Sequence, residues 1–87
     1  IAFTKSLARE MARHKITANC VCPGPTETPM LMVQDPQRIE ALTKAVPMRR
    51  LAKPDDIANA VSFFAASGSG YVTGQVLSVS GGLTMAG

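Results

Sequence analysis

Residues 19–28, Asn-Cys-Val-Cys-Pro-Gly-Pro-Thr-Glu-Thr, join an apolar run to a Pro-Gly stop and two hydroxyls. The run from Thr17 to Cys22 has the length and apolar content of a strand covered on both faces, and Pro23-Gly24 halts it. In an open parallel sheet, ligands bind just beyond such carboxyl ends. Gly24 permits close approach and unusual dihedrals, Pro25 stiffens the loop, and Thr26 and Thr28 add hydroxyls beside exposed main-chain groups. By spacing alone an ordinary strand-ending turn is the stronger reading, because Pro, Gly and Thr are common turn residues.

The other reactive side chains do not assemble into a second site. Cys20 and Cys22 share one strand face, where a disulfide would be strained, and two thiols with one distant His14 are too few for zinc. They are read as core-packing thiols. His14 and Lys15 sit where cations meet the negative end of a helix dipole, and His14 is read as solvated. Asp55 and Asp56 belong to a helix start and Glu27 to the loop, so no carboxylate pair forms. Arg49 and Arg50 suit an anionic substrate group or, as the stronger reading, solvated surface charge. No nucleophile, base and orienter gather.

The elements that must position the loop follow from periodicity. Phe3, Leu7, Ala8, Met11 and Ala12 recur at helical spacing opposite Lys5, Arg9, Glu10 and Arg13, which predicts an amphipathic helix from about Ile1 to His14. It starts without a capping residue, so it is expected to continue upstream. After the loop, Met30–Val33 is an apolar run that suits either a ligand-covering flap or core. Asp35 with Pro36 starts a short helix to about Val46. Pro54, Asp55 and Asp56 start another, with an apolar stripe of Ile57, Ala60, Val61, Phe64 and Ala65, running to about Ala66. Ser67–Gly70 is a turn, and Val76–Val79 a short strand stopped by Gly81-Gly82. The order helix, strand, helix, helix, strand predicts α/β architecture.

Composition narrows the functional classes. The 87 residues carry a formal charge of +3 and are 46% hydrophobic. The basic residues are scattered without interleaved aromatics, which argues against nucleic-acid binding. No apolar stretch approaches the roughly 18 residues of a membrane span, no signal-peptide pattern opens the chain, and the expected compartment is cytoplasmic. So short a chain buries only about 60 to 65% of its unfolded surface. Apolar faces would stay uncovered.

With Tyr71-Val72-Thr73-Gly74-Gln75 and Ser80-Gly81-Gly82, the loop resembles the C-terminal third of a short-chain dehydrogenase/reductase over nearly all of the chain. The family pattern Asn-x-x-x-Pro-Gly-x-x-x-Thr falls on Asn19, Pro23, Gly24 and Thr28 without gaps. The resemblance implies the C-terminal portion of a Rossmann-type doubly wound parallel sheet. Residues 1–87 would then form part of a single dinucleotide-binding domain of roughly 250 residues, with a flap at about 29–53. It further implies an NAD(P)-dependent oxidoreductase interconverting a secondary alcohol and a ketone, the choice between NAD and NADP being set elsewhere. The competing reading is a catalytically silent dinucleotide-binding or assembly piece of the same fold.

Carried over by position, Pro23 and Gly24 line the nicotinamide, the Thr26 backbone meets its carboxamide, Thr28 hydrogen-bonds nearby, and the Met30 backbone approaches the pyrophosphate. The family's catalytic Ser, Tyr and Lys have no counterpart here. Tyr71 is followed at the fourth position by Gln75 and not Lys, and the Lys is expected just before Ile1. Arg50 matches a commonly basic family position. The ending Val76–Met85 resembles both 3-oxoacyl-carrier-protein reductases and 2-hydroxycyclohexanecarboxyl-CoA dehydrogenases, with Ser80 where many relatives carry Asp. A small hydroxy or oxo substrate follows from the resemblance, an acyl thioester among the candidates. So does a homotetramer, with Leu83–Gly87 buried at a subunit boundary or, alternatively, a frayed terminus.

Overall fold

A computed structural model describes residues 1–85. Its elements run α1 (Ala2–Met11), β1 (Cys20–Pro23), α2 (Pro29–Met32), α3 (Pro36–Ala45), α4 (Pro54–Ala65) and β2 (Val76–Val79), with single 3₁₀ turns at Ala12–His14 and Ser67–Ser69. The architecture is α/β: β1 and β2 pair in parallel, Cys20 opposite Val76 and Pro23 opposite Val79, with α4 as the crossover that packs on both strands. Cys20 and Gly24 donate to Gln75 and Val79 across this ladder. By alternation, the missing N–H of Pro23 falls on the edge away from β2, so proline closes the strand without breaking a bond.

β1 is shorter than the expected 17–22. The Ala18 N–H donates to Thr73 Oγ1 (3.0 Å) and the Ala18 carbonyl accepts from Gly74 N–H (2.7 Å), so the residues before Cys20 are held by side chains and loop groups. The Asn19 carboxamide completes this join, donating to the Val72 carbonyl (3.1 Å) and accepting from Gln75 N–H (3.1 Å). Nor is β1 covered on both faces: Cys20, Val21 and Cys22 are half-buried and Pro23 is exposed.

The helices start where their caps dictate. The Asp35 carboxylate accepts from Gln37 N–H (2.9 Å) with Pro36 at the first helical position, and the Asp56 carboxylate accepts from Lys53 N–H (2.8 Å) at the start of α4. One element was not expected. Pro29–Met32, read as a run of chain, closes into the single turn α2 because Thr28 caps it.

The packed core is small: Ala8, Val46 and Leu51 are its buried apolar residues. Ala8 rests on Gly74, where a methyl would sit 3.5 Å from the Ala8 Cβ. On the apolar face of α1, Leu7 and Met11 are half-buried while Phe3 and Ala12 are exposed, and the α4 stripe narrows to Ile57, Ala60 and Phe64. The Cα radius of gyration is 15.4 Å, against about 12 Å for a compact chain of this length. The long axis reaches 50 Å. Helices α1, α2 and α3 therefore extend from the sheet and α4, and do not enclose a common core.

Candidate functional site

The loop after β1 is built by close backbone approach. A Cβ on Gly24 would lie 2.8 Å from the Ser80 Cα and 2.9 Å from its Cβ, so only glycine lets the end of β1 pass the end of β2. Its φ is not positive, which corrects the expectation of unusual dihedrals: space, and not torsion, demands glycine here. Ser80 itself is buried, donating from Oγ to the Thr84 carbonyl (3.0 Å) and accepting from Thr84 N–H (3.1 Å). The hydroxyl closes a local turn.

Pro25–Glu27 then runs beside Leu51–Lys53. The Ala52 N–H donates to the Pro25 carbonyl (2.9 Å), Glu27 N–H donates to the Ala52 carbonyl (2.7 Å), and Thr26 bridges Ala52 in parallel. In such a bridge the central residue turns its own N–H and C=O to the opposite side. Neither group of Thr26 has a hydrogen-bond partner among the described residues, while its hydroxyl donates to the Gly24 carbonyl (2.9 Å). A neighbouring donor and acceptor on half-buried Thr26 thus face away from the flap's return leg.

Thr28 accepts from Leu31 N–H (3.2 Å) as the cap of α2, which leaves its O–H as a donor. Met30 is 80% exposed and Val33 84%, and Met32 is exposed with them, so this run is not core in the described structure. The flap is anchored at its ends. Val46, 1% exposed, meets Gly81, where a Cβ would lie 2.7 Å from Val46 Cγ1, and Pro47 meets Gly82. Gly81 and Gly82 both have positive φ, 63° and 94°, so this Gly-Gly pair is required by torsion as well as by contact.

Arg50 is exposed, as the surface-charge reading expects, and it is also paired. Its guanidinium donates to both carboxylate oxygens of Asp56 (2.9 and 3.4 Å) and to the Leu51 carbonyl (3.3 Å), tying the flap exit to α4. The Arg50 hydrogen bonds, with that from Lys53 N–H, hold the Asp56 carboxyl down at about 2, and Asp56 raises Arg50 in turn. Arg49 stays exposed in a left-handed turn, φ 60°. A cleft of about 400 Å³ lies beside this pair, lined by Met48, Ala52, Asn59 and Ser78–Gly82. Among the described residues no group of three metal-ligating side chains gathers, and no helix is long and apolar enough to cross a membrane.

The five residues assigned to the cofactor therefore lie on one continuous segment, from Pro23 at the strand end to Met30 in α2. Sequence reasoning missed the Asn19 clamp and the Arg50–Asp56 pair. The first had a signal, the Asn four positions before Pro23; the second joins residues whose approach depends on the flap's return path.

Comparison with known proteins assigns the family. A family model described as enoyl-(acyl carrier protein) reductase matches residues 1–84. The chain belongs to the short-chain dehydrogenase/reductase family. Among curated relatives it is similar to nodulation protein G of Azospirillum brasilense, 46% identical over 95% of this chain and 34% of that protein. It is also similar to acetoacetyl-CoA reductase of Acinetobacter sp. (strain RA3849), 45% identical over 98% of this chain and 34% of the relative. A third is 3-oxoacyl-(acyl-carrier-protein) reductase FabG of Rickettsia bellii (strain RML369-C), 45% identical over 98% and 35%. The chain spans about a third of the length of these short-chain dehydrogenase/reductase relatives.

Proposed function

We propose that residues 1–87 are the C-terminal part of a single Rossmann-type, doubly wound dinucleotide-binding domain, and that the complete domain is an NAD(P)-dependent oxidoreductase. Its reaction interconverts a secondary alcohol and a ketone on a small hydroxy or oxo substrate. The names of the relatives, acetoacetyl-CoA reductase and 3-oxoacyl-(acyl-carrier-protein) reductase, favour an acyl thioester. A cytoplasmic homotetramer accompanies this reading, with Leu83–Met85 at a subunit boundary. Leu83 and Met85 are exposed in this chain, while Ala86 and Gly87, the rest of the expected contact, lie outside the described residues.

The observation that carries the proposal is the unpartnered N–H and C=O of Thr26 beside the close-packed Gly24. A carboxamide presents one acceptor and one donor group, the complement of that pair. Thr26 N–H donates to the carboxamide oxygen, the Thr26 carbonyl accepts from its amide, and the Thr28 hydroxyl donates alongside. Gly24 and Pro23 leave a surface without long side chains for a flat ring, and the Met30 main chain meets the pyrophosphate at the start of α2. The bound nicotinamide supplies hydride chemistry, and this segment supplies orientation.

The test is cofactor titration of the complete domain. Thr28→Val is expected to weaken binding by about 1–2 kcal/mol, the scale of a lost hydrogen bond with an unpaired partner. Unchanged dissociation constants for both NAD(H) and NADP(H) overturn the assignment. Cofactor binding without turnover of any ketone would favour the silent dinucleotide-binding alternative. Residues 1–87 alone, lacking the family's Ser, Tyr and Lys, are expected to turn over nothing, and ketone reduction by the purified piece counts against the reading.

A further inference from the structure

Cys20 and Cys22 are the chain's two cysteines, and the loop chemistry above uses neither. Both are free and half-buried, they occupy alternate positions of β1, and their Sγ atoms lie 3.8 Å apart, each the other's hydrogen-bond partner. Alternate positions share a strand face. The extended strand sets the two Cα atoms about 6.4–6.8 Å apart, at the far limit for a disulfide, whose sulfurs would have to close to about 2.05 Å. A bridging atom removes that demand. Two bonds of about 2.3 Å from a thiophilic centre, meeting at about 100–110°, place their sulfurs about 3.5–3.8 Å apart.

The observed separation is therefore suited to chelation of one thiophilic atom by a strand that need not bend. A tetrahedral metal ion would still lack two protein ligands, since no third ligating side chain joins the pair among the described residues. A trivalent arsenic bearing one organic substituent needs only two thiols to be complete.

We propose that Cys20 and Cys22 form a dithiol site for monosubstituted trivalent arsenicals, at the base of the Pro23–Gly24 loop. With an organoarsenic oxide, two S–H bonds and the arsenic–oxygen bonds break and two As–S bonds form. The oxide oxygen leaves as water with both thiol protons. Arsenic stays trivalent, so no oxidant or reductant enters. The Cys20 hydrogen bond, with burial, holds the Cys22 thiol above its ordinary range. Closing the second As–S bond within one strand is intramolecular, which raises retention by about 10²-fold or more over a single attachment.

The experiment treats the complete, folded domain with one equivalent of phenylarsine oxide and maps the adduct by mass spectrometry of its peptides. The expected result is one phenylarsenic group, with loss of two hydrogens, on the peptide holding residues 20–22. It should resist excess glutathione and be released by 2,3-dimercaptopropanol. Cys20→Ser, Cys20→Ala and Cys22→Ser should each lower retention against glutathione by about 100-fold; using both substitutes at position 20 separates loss of the thiol from altered packing. Absence of the adduct from that peptide, or full retention in the single-cysteine variants, overturns the site. The readout does not depend on cofactor binding.

Discussion

The strand-end junction and the flap are contiguous in sequence and built on opposite principles. At the junction, Gly24 passes within a Cβ's width of Ser80, Thr26 pairs with Ala52, and the Asn19 carboxamide ties β1 to the residues entering β2. Main-chain pairing and close backbone approach do most of the holding, with the Asn19 carboxamide as a side-chain tie. The helical part of the flap, from Pro29 to Ala45, has no comparable packing: Met30, Met32 and Val33 are exposed, and its two helices are fixed by the side-chain caps Thr28 and Asp35 and by the seat of Val46 on Gly81. Backbone-held geometry suits fixed orientation of a flat ligand. An element anchored only at its ends suits a cover that adapts to what it encloses.

This contrast gives graded expectations for the complete domain. The largest effect is expected at the flap's seat. Gly81→Ala adds a Cβ 2.7 Å from Val46 Cγ1 at a φ of 63°, combining overpacking with a left-handed residue, for about 2–4 kcal/mol of destabilisation in urea unfolding. An unchanged midpoint would mean the flap is not seated there. Gly24→Ala lacks the torsional penalty but meets Ser80 backbone at 2.8 Å; about 1–3 kcal/mol is expected, together with weaker NAD(P)H binding. Normal cofactor affinity in a folded Gly24→Ala protein would break the claim that close approach shapes the site.

Thr28 stands where the two regions meet, and its hydroxyl both caps α2 and is proposed to face the cofactor. Thr28→Asp keeps a capping acceptor and removes the hydroxyl donor, so α2 should persist by amide hydrogen exchange while cofactor affinity falls. Retained affinity would reduce Thr28 to a cap. The smallest effect belongs to the Arg50–Asp56 pair, which is largely solvated. Because the folded carboxyl is lowered from 3.8 to about 2, its contribution is complete above the unfolded value and lost as pH falls through the folded one. Wild type and Asp56→Asn should therefore differ slightly in helicity near neutral pH and converge as pH approaches about 2. A difference that persists in strong acid would assign the effect to something other than this ion pair.

What the sequence by itself determined is local. Asp35-Pro36 and Pro54-Asp55-Asp56 mark helix starts because caps and fixed proline torsions act within one turn, and Val76–Val79 is bounded by turn residues on both sides. Pro23 and Gly24 mark the strand end for the same reason, and the Asn-x-x-x-Pro-Gly spacing carries the resemblance that the family match bears out. Tertiary structure decided the rest. Gly24 is required by Ser80, 56 positions away, Arg50 is paired and not free, and Asn19 binds Val72 and Gln75 in place of a ladder partner. Periodicity marked the apolar stripes of α1 and α4, and these stay partly uncovered as expected for so short a chain, because an amphipathic pattern states which face seeks cover, and only packed neighbours supply it.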